Sequence, residues 1–353
     1  MIKRSILVCC LLIGSFFALM GQEAASGTTT IKLSFEEAVN MAIERNRTLQ
    51  NSSLDVRKAE ASKWESIASM LPQVSGSLSY SSNLNYAMDL MGQKITMPSS
   101  GQLGLSASMA LSAAQIISTQ ISKISIDMAN ITREQSEQEV TNQVRVLYYS
   151  ALVSEETQEL LTKNLESLKK LYEYSQAAVD AGTAEQVDAD QIMVQVANME
   201  TSLSTSKRSM EMVYNSIRLS LDLDVDTEII LTQGMDELLS IPNAVALIKE
   251  DFVLENNYNY QLLSQNTKLT KKQVDLAGWA YAPSISAFYQ YAGKKYFGEA
   301  RFNMSVPHTF GLTLSIPIFS SGQRYKALQG AKISYEQQLN TLAHTEMSLK
   351  IQH

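Results

Sequence analysis

Four stretches of this chain alternate apolar and polar residues with a period of two. Val74, Gly76, Leu78 and Tyr80 alternate with Gln73, Ser75, Ser77, Ser79 and Ser81, and Leu103, Leu105, Ala107, Met109 and Leu111 alternate with Gly104, Ser106, Ser108 and Ser112. Further on, Ile285, Ala287, Tyr289 and Tyr291 alternate with Ser284, Ser286 and Gln290, and Phe310, Leu312, Leu314, Ile316 and Ile318 alternate with Gly311, Thr313 and Ser315; Phe288 and Phe319 are the exceptions. A period of two marks a strand with unlike faces. The pattern predicts strands at 73–82, 102–112, 284–291 and 309–319. Each is about 9 to 11 residues long, which is what a tilted strand needs to cross a bilayer, and its polar face is small and uncharged, as a water-filled lumen tolerates. A half-buried sheet in a soluble protein shows the same alternation, so at this point both readings stand. Four strands do not close a barrel, since lipid admits no open edges and barrels start at about eight strands. A membrane reading therefore requires several copies of the chain.

The second pattern is helical. From Ala114 to Ala181 there is no proline or glycine, and apolar or small residues recur alternately four and three apart through Val140, Val144, Leu147, Ala151, Ser154, Gln158, Leu161, Leu165, Leu168, Tyr172, Ser175 and Val179. A helix of about 68 residues would be about 100 Å long. After Gly182 and Thr183 the stripe resumes as Ile192, Val196, Met199, Leu203, Ser206, Met210, Val213 and Ile217. This predicts an antiparallel hairpin over 114–221 with coiled-coil packing, reversing at Gly182, with Thr183 as N-cap of the returning helix and Gln186 in capping-box spacing. A structural rod is the plainer alternative. Shorter helices are expected at 34–70 and 244–281, the first opening on Ser34 and Glu37 in capping-box spacing, and a last one at 321–353.

The two sets of elements repeat. Glu44 and Glu255, Asn46 and Asn257, Pro72 and Pro283, Ser75 and Ser286, and Tyr80 and Tyr291 all keep one offset of 211 residues. The expected organisation is a segment 1–21, a polar segment 22–33, a first repeat 34–221, a linker 222–243 with a short strand at Ile229-Ile230-Leu231, and a second repeat 244–353. Loops Asn83 to Ser100 and Ala292 to Pro307 are expected to join each strand pair on the cell exterior.

Composition narrows the setting. Lys3 and Arg4, an apolar run from Ile6 to Met20 and small Gly21 form a signal-peptide pattern, and the run is too short for a spanning helix. Cys9 and Cys10 are the only cysteines and both lie within it, so disulfides and thiolate metal sites are excluded from the exported part. Without residues 1–21 there remain 27 basic against 36 acidic side chains, which disfavours nucleic-acid binding. No later stretch reaches about 18 continuous apolar residues, so any crossing of a membrane uses strands. Chemistry is sparse. His308, His344 and His353 lack metal-ligand spacing, and no GxSxG, HExxH, P-loop or GxGxxG is present. Asp222-Leu223-Asp224-Val225-Asp226 opens like a calcium loop, yet Thr227 stands at the sixth position and Gln233 at the twelfth. Asp188 and Asp190 read as a solvated acidic turn. The expectation is no enzyme, no cofactor and no metal.

Three motifs carry a resemblance. Leu71-Pro72-Gln73-Val74-Ser75 resembles the helix-to-strand junction of TolC-like outer membrane efflux proteins, Ser315-Ile316-Pro317-Ile318-Phe319-Ser320-Ser321-Gly322-Gln323 resembles their strand-to-helix junction, and Ala181-Gly182-Thr183-Ala184-Glu185-Gln186-Val187-Asp188 resembles their first hairpin tip. The resemblance implies a mainly α fold with membrane β: long helical hairpins forming a tunnel, plus four strands per chain in a shared trimeric barrel. It implies a Gram-negative outer membrane location with a periplasmic extension, and a passive duct of a tripartite efflux or type I secretion system. Implied partners are two further copies, outer membrane lipid, a periplasmic adaptor and an inner membrane transporter. Gly182, Thr183, Val187 and Asp188 become the adaptor-contact candidates, and Pro72, Pro317, Phe319 and Gly322 the junction residues. Asp190 stands where the family usually has an apolar residue, and Ala110-Leu111-Ser112-Ala113-Ala114 lacks the proline and glycine found near Pro317. By the repeat, His353 falls opposite Val146, with the stripe Tyr335, Leu339, Leu342, Glu346 and Leu349 still running, so the chain is expected to be about 75 residues short of a second hairpin. A non-conducting truncated member and a periplasmic coiled-coil adaptor or structural protein are the alternative functions.

Overall fold

A computed structural model describes residues 30–82, 84, 87–90, 93–96, 98–238, 252–297 and 306–352. The expected signal segment, residues 22–29 and 239–251, parts of both strand-connecting loops and His353 lie outside these residues. In chain order the elements are β1 (Thr30–Leu33), α1 (Phe35–Arg45), α2 (Arg47–Ala68), β2 (Gln73–Ser81), β3 (Ala87–Leu90), β4 (Gln93–Thr96), β5 (Ser99–Leu111), α3 (Ala113–Asp180), α4 (Gln186–Ser220), β6 (Glu228–Leu231), α5 (Tyr258–Trp279), β7 (Ser284–Phe297), β8 (His308–Ser315) and α6 (Gln323–Gln352). The described residues fall into two compact units, one from 30–42 with 144–238 and one from 43–143 with those of 252–352.

The repeat is explicit in the second unit. Helices α2 and α5 are both 22 residues long, and both start immediately after the repeated asparagine. The Asn46 side-chain oxygen accepts from Thr48 N at 2.9 Å, and that of Asn257 accepts from Tyr260 N at 3.1 Å. Each satisfies an amide that the first helical turn leaves without an intrahelical partner. The helices expected over 34–70 are α1 and α2, divided at Asn46, whose ψ of 126° is extended. At the far end of each helix stands the repeated proline, which has no N–H to continue the ladder, and β2 and β7 begin directly after it.

These strands and their partners form one antiparallel sheet in the order β2-β5-β7-β8. Gln73 lies opposite Ser108 and Ser284 opposite Ser315, so the two hairpins share one register, displaced by 211 residues in the first strand and 207 in the second. The repeat thus places Gly104 and Gly311 equivalently, facing Ser77 and Phe288. A Cβ on Gly104 would come within 2.7 Å of Ser77 Oγ, and one on Gly311 within 2.4 Å of the Phe288 ring. Phe288 interrupts the alternation because its ring lies across Gly311. β5 and β7 extend past the expected limits at 102 and 291, and a β3–β4 hairpin occupies part of the expected loop 83–100. β8 stops at Ser315 instead of 319, ahead of Pro317, which offers no ladder donor.

Helix seams in this unit are built of hydroxyls. Ser118, Thr119, Ser122 and Ser125 each donate to the carbonyl four residues back, as do buried Thr267 and Thr270 on α5. Internally satisfied hydroxyls let helices approach without orphaned polar atoms. Ser66 of α2 also meets Ser122 of α3 at 3.0 Å.

The first unit has the denser core. Leu33, Ala38, Ala42, Tyr148, Ala151 and Leu221 are at most 1% exposed. β1 pairs in parallel with β6, from Thr30 opposite Glu228 to Leu33 opposite Leu231. The Tyr148 hydroxyl donates to the Leu33 carbonyl at 3.1 Å, and the Phe35 ring stands edge-on to Tyr148 at 5.8 Å. Ser34 and Glu37 form the expected capping box, and the Ser34 N–H holds the Glu37 carboxyl below its ordinary value.

The stripe residues of α3 and α4 in this unit are buried or half-buried, and Tyr148, Leu152, Ala189 and Tyr214 beside them are buried as well. Two contacts fix the hairpin register. Lys169 Nζ meets Glu200 at 2.7 Å, and the Tyr214 hydroxyl donates to Glu155. Both pairs straddle the same point between Ala184 and Glu185, so the helices run past each other without slipping over the fourteen residues that separate the pairs.

Two outcomes test this account. Asn46→Ala and Asn257→Ala should each lower stability by about 1 kcal/mol, with Asp or Ser at the same positions costing less, as read by denaturant unfolding. Burial, and then the hydrogen bond to Glu155, raises the Tyr214 phenol well above its ordinary value of 10. The neutral phenol's contribution is therefore complete below about pH 10, the unfolded value, and is lost as pH climbs from there toward the folded value. Thermal melts of the wild type should fall more steeply above pH 10 than those of Tyr214→Phe, which should itself cost about 1 to 2 kcal/mol at neutral pH.

Candidate functional site

The hairpin tip is a defined turn. Gly182 adopts φ +74°, the left-handed conformation that glycine enters without a Cβ clash. Its N–H donates to Val179 O at 2.9 Å and the Thr183 N–H to Ala178 O at 2.9 Å, the paired bonds of a Schellman stop. The Thr183 hydroxyl also donates to Ala178 O at 2.9 Å. Thr183 therefore closes the outgoing helix and does not cap the returning one. Glu185 holds the N-cap position of α4, without a side-chain bond, and Gln186 reaches forward to Asp190 at 2.9 Å. Gly182, Thr183, Val187 and Asp188 are all exposed and lie within one turn region, while Ala189 is fully buried. Sequence reasoning did not single out Asp190 for a bond or Ala189 for burial. Between Lys170 and Lys207 there is no basic residue, whereas Glu173, Asp180, Glu185, Asp188, Asp190 and Glu200 are acidic. The tip is a uniformly anionic surface.

The junction residues sit at the ends of the sheet strands nearest the helices. Pro72 is exposed between α2 and β2. Beside it the Gln73 side chain donates to Ala68 O at 2.8 Å and to Leu71 O at 3.1 Å, satisfying carbonyls at the helix end. At the other corner, Ser321 at φ +48° and Gly322 at φ +81° form a tight turn closed by Gln323 N on Ser320 O at 2.9 Å. Ile318 and Phe319 next to it are 93% and 83% exposed, so a large apolar surface stands open at this corner. The first repeat lacks this proline-glycine turn and is ordered differently. Ser112 and Gln115 form a capping box, with Ser112 N to Gln115 Oε1 at 2.9 Å, and the Gln115 amide reaches Ser69 O at 3.3 Å.

The sheet separates its chemistry by face. Pairing across β2, β5, β7 and β8 puts Val74, Leu78, Leu103, Leu105, Ile285, Tyr289, Phe310, Leu312 and Leu314 on one side. Several of these are among the most exposed apolar residues, Leu78 at 84% and Phe310 and Leu312 at 68%. The opposite side carries Ser75, Ser77, Ser106, Ser286, Gln290 and Thr313, with Ser75 and Ser106 hydrogen-bonded at 2.7 Å. Strands β2 and β8 are edges without a second partner among the described residues.

Other side-chain clusters are structural. An open polar groove of about 700 Å³ beside the α3–α4 hairpin is lined by Glu155, Glu159, Lys163, Glu211 and Arg218 among others. Both of its cations are paired, Lys163 with Glu159 at 2.5 Å and Arg218 with Glu211 at 2.7 Å, and Glu155 accepts from the Tyr214 hydroxyl. Asp222 at φ +53° ends α4, with Leu223 N on Arg218 O at 2.9 Å, so the calcium-like run serves as a helix stop. Among the described residues no group of three or more histidine, cysteine, aspartate or glutamate side chains is placed to hold a metal ion, and no helix is long and apolar enough to cross a membrane. His344 is exposed, and His308 Nδ1 lies 2.8 Å from the Tyr289 hydroxyl.

Comparison with known proteins places this arrangement. The family model described as outer membrane efflux protein matches residues 38–221. No curated protein matched the sequence. Among solved structures, a membrane protein from Pseudomonas aeruginosa is similar with a TM-score of 0.71 at 18% identity, over 89% of this chain and 74% of that one. The open-state MtrE outer membrane channel of Neisseria gonorrhoeae gives 0.69 at 16% identity over 89% and 70%, and the CmeC outer membrane channel of Campylobacter jejuni gives 0.67 at 16% over 89% and 68%. At these identities the likeness is one of fold, helical hairpins with a few membrane strands. With the family model covering more than half its length, the chain belongs to the outer membrane efflux protein family, which makes it an outer membrane protein and not an enzyme.

Proposed function

We propose that the chain is one wall segment of a passive exit duct, closed by three copies and docked at its hairpin tips to a periplasmic adaptor that an inner membrane transporter serves. The observation that carries this is the sheet: an exposed apolar face, a small-residue polar face and two edges unpaired among the described residues. Pairing β8 of one copy with β2 of the next satisfies both edges, and three copies supply twelve strands, above the roughly eight at which barrels close. The open apolar corner at Ile318 and Phe319, next to β8, would be covered in the same step. Solved proteins of this fold that are outer membrane channels support the reading.

Discrimination in such a duct comes from width and charge, since its wall facing water carries serine, threonine and glutamine. In this reading the energy for transport comes from the inner membrane transporter. The anionic tip calls for an adaptor surface with positive charge.

In detergent the protein should run as a trimer and conduct in planar bilayers, and a monomer soluble without detergent would overturn the proposal. Leu105→Arg, at the middle of the apolar face, should cost about 2 to 4 kcal/mol and reduce the trimer yield on native gels. At the tip, Asp188→Lys should leave conductance unchanged while reducing adaptor co-purification and export from cells. Wild-type docking should weaken as salt rises from 50 to 500 mM, and docking indifferent to both charge and salt would sink the proposed tip contact.

A further inference from the structure

The apolar face of the sheet carries one charge among the described residues, Lys295. It stands in a row across three strands, Tyr80 opposite Gly101 and Gly101 opposite Lys295. Gly101 has no side chain, and the Phe297 ring occupies that space, 3.2 Å from where a Cβ would be. The Tyr80 and Phe297 rings are 5.9 Å apart. The register and the Phe297 ring thus bring a cation and two aromatic rings to one level of this face, beyond Leu78 and Leu103. Strand direction puts this patch at the end of the sheet far from the helices, since β2 leaves α2 at Gln73 and reaches Tyr80 near its close. Neighbouring Lys294 lies on the other face with its ammonium 4.8 Å from the Tyr296 ring, whereas Lys295 is exposed and has no ion pair among the described residues.

We propose that Lys295 binds the phosphate of an outer-leaflet glycolipid of the lipid A class, with the Tyr80 and Phe297 rings against its acyl chains. The inference rests on the reading that the apolar face meets lipid. A lone cation on that face is costly in hydrocarbon and favourable at the headgroup level, where its ammonium meets phosphate while acyl chains cover Leu78 and Leu103 and the aromatic rings sit at the interface. The outer end of an outer membrane strand faces the leaflet that holds phosphorylated glycolipid.

Native mass spectrometry of the full chain in detergent micelles tests this, with diphosphorylated lipid A, dephosphorylated lipid A and phosphatidylglycerol as probes. The wild type should retain diphosphorylated lipid A best, K295Q should weaken retention about fivefold, the worth of one lysine near an anionic headgroup, K295R should keep it and K294Q should leave it unchanged. Equal retention by K295Q and wild type, or equal binding of the dephosphorylated lipid, would overturn the proposal; phosphatidylglycerol retained as well as lipid A and equally sensitive to K295Q would overturn the assignment to glycolipid. A trimer that conducts yet shows either result leaves the channel reading standing and removes this inference alone, while a water-soluble monomer removes both.

Discussion

A strand in lipid must have both backbone edges paired, because hydrocarbon offers no water to an open N–H or carbonyl. This constraint governs the rest of the molecule. The chain builds a sheet of four strands with an apolar face too large to be left in water and two edges unpaired among the described residues, so the fold is complete only in an assembly. The exposed leucines and phenylalanines of β2, β5 and β8 are consistent with one another on those terms. In a water-soluble monomer they would be an aggregation surface.

Duplication supplies the sheet economically. Each repeat delivers an asparagine-capped helix, a proline stop and a hairpin in the same register, and the cross-strand glycines fall at equivalent points. The copies then differ where their corners are made. One uses a proline and a left-handed Ser321-Gly322 pair, the other a Ser112–Gln115 capping box tied to the end of α2. Two local solutions serve one strand-to-helix transition because each only has to satisfy the first turn of a helix. The long hairpin solves a separate problem. Its seam of small and medium residues gives weak individual contacts, and the register is held by the Tyr214–Glu155 and Lys169–Glu200 pairs together with a Schellman stop at Gly182. The exposed Lys169 pair adds little energy by itself; the Tyr214 hydroxyl, buried against its carboxylate, adds more.

Much of this was legible in the residues. Alternation gave the four strands and their faces, the four-three stripe gave the hairpin and its buried side, and Ser34 with Glu37 gave a cap. Those signals are local, each fixed by neighbours within one turn or one pleat. The β1–β6 pairing was not legible, because two four-residue strands some two hundred positions apart carry too few residues for a pattern. The same holds for the role of Thr183. A threonine after glycine can close one helix or open the next, and only the position of the Ala178 carbonyl decides it.

The sequence by itself determined the element types, the repeat, the two-faced strands and the absence of recognisable catalytic motifs, since periodicity and residue chemistry are properties of short segments. Only the tertiary structure decided which strand lies beside which, that Phe288 covers Gly311, and that Tyr80, Gly101 and Lys295 form one row across three strands. Those facts depend on residues brought together from distant parts of the chain, and the distance between two side chains is set by packing rather than by their separation in sequence.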